Sequence, residues 1–169
     1  MPTTYHLHRR QLIPRPLPEV FPFFADASNL EAITPMSLHF QILTPKPILI
    51  QAGTLIDYQL ALLGIGFQWR TKIESFEPPH RFVDVQVRGP YRLWRHTHEF
   101  IEQDGGTLII DRVEYQLPWG PLGWLAQRLF VRDQLDHIFD YRFRGIDQIL
   151  ALSRQAKEIA ADNLSPQVT

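Results

Sequence analysis

The run Tyr91 to Glu102 carries Trp94, His96, His98 and Phe100 at alternate positions. In an extended strand successive side chains point to opposite faces, so these four share one side while Arg95, Thr97 and Glu99 share the other. Two aromatics flank the histidines and the opposing set is charged or polar, which assigns the histidines to the interior. The same reading of Thr107 to Leu117 turns Ile109, Asp111, Val113, Tyr115 and Leu117 inward, and Arg112, Glu114 and Gln116 outward. A turn centred between Gln103 and Gly106 then sets His98 opposite Asp111 and Trp94 opposite Tyr115. An imidazole oriented by a carboxylate suits general acid–base work on a carbonyl or hydroxyl. The same groups also suit a buried network in which each polar atom satisfies another. A metal site is a third use, since His-x-His aims both rings the same way; the spacing supplies no third ligand, and no metal is expected.

Other side chains could shape a binding site around this pair. In Arg81 to Arg88 the inward set is either Phe82, Asp84 and Gln86 or Val83, Val85 and Val87, and a slip of one residue exchanges them. Trp69 alternates with Phe67 and Thr71 and reads as core wall, which in a hollow fold is also pocket wall. Beyond Pro121 the period becomes helical: Leu122, Leu125, Leu129, Leu135, Phe139, Phe143, Ile146 and Leu150 form an apolar stripe. Arg132 interrupts it. Its guanidinium either snorkels to water, pairs with a carboxylate, or anchors a ligand oxygen at a cavity mouth. Pro118 to Trp124, rich in glycine and tryptophan, is expected to act as a gate or a rigid turn. His6 and His8 lie on an edge-like first strand and read as surface residues.

The elements that must position these groups follow from punctuation. Tyr5 to Ile13 reads as a strand, Pro18 to Ala25 and Asn29 to Ile33 as short helices with Asp26 or Ser28 as a cap, and Leu38 to Ile42 as a second strand. Five further strand-like runs, Gly53 to Leu63, Phe67 to Phe76, Arg81 to Arg88, Tyr91 to Glu102 and Thr107 to Leu117, are separated by short Gly- and Pro-containing connections. Connections this short join antiparallel neighbours, because a parallel crossover needs a dozen or more residues. The expectation is an α+β domain: a curved antiparallel sheet of about seven strands covered by one long C-terminal helix, occupying residues 1–157, with a polar tail over 158–169.

Composition removes several function classes. The 169 residues include no cysteine, which excludes disulfides, thiolate catalysis and Cys-bound metals. With a net charge of −1 and 21% charged residues there is no basic surface to seek nucleic acid. The apolar stretch Leu60 to Phe67 is far shorter than the ~18 residues that read as a transmembrane candidate. The first residues lack the apolar core of a secretory signal, so the cytoplasm is the expected compartment. No dinucleotide fingerprint, phosphate loop or nucleophile elbow occurs, and no cofactor is expected.

Three segments, Phe21 to Ala27, Gly89 to Phe100 and Asp111 to Gly120, together resemble the START-like (helix-grip, SRPBCC) superfamily, which includes polyketide cyclase/dehydrases and coenzyme-Q-binding START-like proteins. The resemblance spans Tyr5 to Leu152 and implies a hydrophobic-ligand cavity between sheet and helix. It also places the Asp84 and Gln86 positions beside the histidine strand, so Asp84 comes to face His96. The expected acid–base set is thus His96, His98, Asp111 and Asp84. The expected ligand wall is Trp69, Gln86, Trp94, Phe100, Val113, Tyr115, Leu125, Leu129, Arg132 and Phe139. The resemblance leaves a carrier of a polyketide, lipid or quinone, a cyclase or dehydratase, and a protein-interaction module all open. The last of these predicts an exposed apolar patch and an empty or filled-in cavity.

Overall fold

A computed structural model describes residues 3–62, 64–118 and 120–164. Strand β1 (Tyr5–Ile13) is followed by helix α1 (Leu17–Phe24), 3-10 turns at Ala27–Ile33 and Met36–Leu38, and the short strand β2 (Gln41–Ile42). A meander of β3 (Leu55–Leu62), β4 (Ile65–Glu77), β5 (Arg81–Arg88), β6 (Leu93–Gln103) and β7 (Gly106–Gln116) comes next. The chain ends in α2 (Pro121–Ala126), a π-helical turn (Gln127–Val131) and α3 (Arg132–Leu164). The strands form one seven-stranded antiparallel sheet in the order β1-β7-β6-β5-β4-β3-β2. This is the expected α+β helix-grip architecture. The pairing of β1 with β7, from Tyr5 against Tyr115 to Ile13 against Thr107, adds what local patterns could not show.

Several elements differ from expectation for identifiable reasons. The second short helix is a 3-10 turn that starts at Ala27, and its cap is Asp26, whose carboxylate accepts from Ser28 N at 2.9 Å. Leu38 closes another 3-10 turn and His39 takes a left-handed φ of 45°, so only Gln41 and Ile42 of the expected strand are extended. Strand β4 begins at Ile65, inside the expected turn. Irregular register between β4 and β5 at Arg70/Thr71 and Ile73/Ser75 marks bulges, which bend a sheet and increase its twist.

The long helix docks across the concave face through polar anchors at its outer edge. Arg9 of β1 pairs with Asp136, and Gln11 Nε2 donates to Phe143 O at 2.9 Å and to Asp147 Oδ1 at 3.0 Å. Beneath, Ile146 and Leu150 join a core built on Ile13, Leu17, Val20, Phe82 and Phe100, while Leu135 and Phe139 join Leu7, Val113 and Tyr115. The π-helical turn closes with Arg132 N bonding Gln127 O and accommodates one residue more than an α-turn, which rotates the preceding face relative to α3. Leu125 and Leu129 are consequently 45% and 52% exposed, and Arg132 is exposed as well. None of the three faces the sheet, a correction to the stripe drawn through them.

Helix α3 continues through residues 158–164 of the expected polar tail, and 165–169 lie outside the described residues. Trp119 of the expected gate also lies outside them, while Trp124 is exposed, with the Arg128 guanidinium 5.7 Å from its ring centroid. Gly123 permits the tight handover from sheet to helix, since a Cβ there would stand 2.3 Å from Pro118 O. Among the described residues no helix is long and apolar enough to cross a membrane.

The rotated helix face makes a test by contrast. Phe100 is 1% exposed and meets Phe21 edge-on at 5.3 Å, so Phe100→Ala is expected to cost about 3–5 kcal/mol in urea unfolding. Leu129→Ala, on the outside, should change stability by less than about 0.5 kcal/mol.

Candidate functional site

Pairing of β5, β6 and β7 brings the acid–base set together in the expected register: Asp84 faces His96, His98 faces Asp111, and Trp94 faces Tyr115. The hydrogen bonds nevertheless run along the diagonals. His96 Nε2 lies 2.9 Å from Asp111 Oδ1, and His98 Nε2 lies 3.0 Å from Asp84 Oδ2. Diagonal neighbours across a sheet are within reach of long side chains, and here the exchange interlocks three strands. His98 Nδ1 is also 2.8 Å from Asp111 Oδ1, but off the line that a hydrogen bond requires, so this buried nitrogen has no hydrogen-bond partner. The imidazoles lie over one another at 3.7 Å, Phe82 stacks on His98 at 4.1 Å, and Phe139 meets His96 edge-on at 5.5 Å.

Burial sets the protonation of this box against its own charges. Burial alone would raise the Asp111 pKa, but the hydrogen bond from His96 and the attraction of both imidazoles, His98 Nδ1 being 2.8 Å away, hold it far below the usual carboxylate range. Asp84 is lowered in the same way: the bond to His98 and the charges of His96, His98 and Arg142 outweigh burial. Burial also works against the His98 imidazolium, yet Asp111 and Asp84 hold its pKa above the ordinary value. His96 moves the other way, pushed down by burial and by the neighbouring His98 charge. A neutral His96 donates to Asp111 from Nε2, because an ionised carboxylate can only accept.

The box forms part of the wall of a partly open cavity of about 170 Å³ lined by sheet, helix and the 3-10 turns. That volume is below the ~300–1,000 Å³ usual for ligand pockets and close to the ~150 Å³ that holds one benzene. Of the expected ligand wall, Trp69, Trp94 and Phe139 line the cavity, as do all four members of the acid–base set. Phe100 instead fills the core beside Phe21 and Phe82. Val113 and Tyr115 pack behind the wall, where Tyr115 Oη accepts from Gln127 Nε2 at 2.8 Å. Gln86 does turn inward but is spent on the Tyr91 backbone, donating to its carbonyl at 2.6 Å and accepting from its N–H at 3.2 Å. Leu125, Leu129 and Arg132 lie outside the wall.

Tyr58, Tyr91 and Arg142 are among the wall residues that were not anticipated. Tyr58 and Trp69 share the Thr71 hydroxyl at 3.0 Å each, and burial drives the Tyr58 phenol far above the ordinary range. Tyr91, also raised by burial, packs 5.6 Å from Trp69 in an edge-on contact. Arg142 lines the cavity from α3. Its signal was its spacing: three residues from Phe139 and four from Ile146 put it on the inner face, but Phe143, one residue on, satisfies the same spacing and is apolar. Phe143 is 37% exposed, so it is the arginine that faces inward. Outside the cavity, Leu122, Trp124, Leu125, Leu129 and Phe130 form an exposed apolar set around α2.

The sequence from residue 13 to 138 matches the family model of polyketide cyclase / dehydrase and lipid transport proteins, and the chain belongs to that family. Among solved structures it is similar to TTHA0849 of Thermus thermophilus, with 16% identity, 88% of this chain and 99% of that one covered, and a TM-score of 0.71. A norcoclaurine synthase from Thalictrum, solved with a transition-state analogue, gives 13% identity, coverage of 91% and 98%, and a TM-score of 0.65. A nucleoside-diphosphate sugar epimerase of Corynebacterium glutamicum is similar over 89% of this chain but only 30% of its own, with 26% identity and a TM-score of 0.64. Comparison with curated proteins gives no significant match. Family and fold together fit a hydrophobic-ligand-binding helix-grip protein.

The coupled box predicts a pH dependence. The Asp111 pKa is lower in the fold than in the unfolded chain, so its contribution is complete above about pH 5 and is lost as pH falls below the unfolded value of ~3.9. Asp111→Asn is expected to destabilise by about 3–5 kcal/mol at pH 7, since it breaks a buried pair, and to flatten the acid arm of stability measured by urea unfolding at pH 7, 5 and 3.

Proposed function

We propose that the protein binds a small, ring-bearing hydrophobic molecule non-covalently in the cavity between sheet and helix. The observation that carries this reading is the cavity itself: about 170 Å³, walled by Trp69, Trp94, Tyr91 and Phe139 and bounded at one end by the His/Asp box. Unfilled volume in a core forfeits packing contacts, and an occupant restores them. The size supports a single ring, or the ring of a polyketide, quinone or lipid-like molecule whose remainder leaves the cavity. Ethylbenzene titrated calorimetrically is the direct probe, and Ile138→Trp, which builds a larger side chain into the wall, should weaken its binding by at least about tenfold. Absence of binding in the parent protein, or unaltered binding in that variant, contradicts the reading.

The second reading is a cyclase- or dehydratase-type enzyme, favoured by one observation: two adjacent histidines on the cavity wall whose environments push their pKa values apart. Such a pair supplies an acid and a base side by side at neutral pH. In this reading His98, oriented by Asp84 and Asp111, gives a proton to a substrate oxygen while neutral His96 takes a proton from the substrate carbon or hydroxyl, so that the substrate's net charge is unchanged. With a turned-over substrate, His98→Gln should leave affinity within about tenfold and lower turnover by ~10²–10⁴. Equal turnover would leave the histidines with the binding role only.

A further inference from the structure

Arg142 is an unusual occupant of the cavity wall. Its neighbours on the inner face of α3, Leu135, Ile138 and Phe139, are apolar, and its guanidinium carbon lies 5.2 Å from the Phe139 ring centroid. The Nε–H of Arg142 is buried and has no hydrogen-bond partner. A buried donor on a charged group that lacks an acceptor is expensive, and a ligand oxygen placed against it would recover that cost. Asp84 Oδ2 serves His98 and Asp111 Oδ1 serves His96, while the Tyr58 hydroxyl is bonded to Thr71.

Charge decides which acceptor fits. The wall carries three carboxylates, Asp26, Asp84 and Asp111, against the Arg142 guanidinium and two imidazoles, His98 held toward its charged form and His96 toward its neutral one. Positive charge on this wall therefore does not exceed negative charge. An anionic ligand would add an unanswered charge to a buried volume, whereas a neutral carbonyl oxygen satisfies Nε–H without adding one.

We propose that the cavity selects a ring compound bearing a neutral carbonyl, such as an aryl ketone, with its oxygen accepting from Arg142 Nε and its ring against the aromatic wall. This rests on the binding reading above and adds the head group that the site discriminates. Arg142 is the specificity-determining residue, and an isosteric hydrocarbon or an aromatic carboxylate is the disfavoured competitor.

Acetophenone, ethylbenzene and benzoate, matched in size and differing at one group, are titrated calorimetrically against the intact protein at pH 7. Acetophenone should bind tighter than ethylbenzene by about 10- to 100-fold, the worth of a hydrogen bond to a charged group, and benzoate should bind more weakly than acetophenone. In Arg142→Met the ratio of acetophenone to ethylbenzene affinity, measured in the same variant, should shrink to about twofold. Proton NMR of the arginine Nε–H region gives a reading in the parent protein, independent of whether that variant folds: acetophenone, but not ethylbenzene, should shift one resonance. If ethylbenzene and acetophenone both fail to bind, the cavity reading falls and this assignment with it. If both bind equally, if the preference survives in Arg142→Met, if no Nε–H resonance responds, or if benzoate binds tightest, the Arg142 assignment alone is overturned.

Discussion

Two carboxylates on the strands either side of a third cannot both stay ionised in an apolar wall unless positive charge or hydrogen-bond donors stand between them. His96 and His98, on the strand between Asp84 and Asp111, supply these, and their crossed bonds tie β5, β6 and β7 into one unit. The rest of the site inherits this constraint. The box is covered by α3, with Phe139 edge-on to His96, and its hydrogen bonds and paired charges outweigh the burial that works against each ionised group. Yet Leu135, Phe139 and Ile146 carry the helix across on two separate apolar clusters, and the space between those clusters is left unfilled.

The helix is held where it is by its edges. Arg9 and Gln11, on the outermost strand β1, grip Asp136, Asp147 and the Phe143 carbonyl, and these contacts fix the helix along the sheet without filling the hollow beneath it. The extra residues Val87 in β5 and Glu74 in β4 mark bulges, which bend a sheet and increase its twist. Binding, in this arrangement, draws on volume that the core leaves open, and discrimination draws on the polar groups at its margin.

Much of this was legible in residue order because the informative signals were local. Alternation gave the faces of β6 and β7, and the short Gln103–Gly106 connection set their register, so the opposition of His98 and Asp111 followed without tertiary information. Local patterns stop where distant parts of the chain meet. The pairing of β1 with β7 closes a separation of a hundred residues, and nothing in Tyr5–Ile13 alone names its partner. The inner face of the helix was misread upstream because the π-helical turn breaks the α-helical period, turning Leu125 and Leu129 outward. It was misread at Phe143 because two adjacent residues satisfied the spacing and apolarity favoured the wrong one. Arg142 was lost to the same preference, which ranks residues for burial by type and so passes over a functional arginine.

The central claim is that the volume between α3 and the sheet is open and apolar. Xenon is a direct reporter, since dry apolar cavities of this size take it up. A crystal of the protein pressurised with xenon should show a bound atom within contact distance of Trp69 and Phe139. A structure with no xenon there, and with side chains occupying that space, would contradict the account.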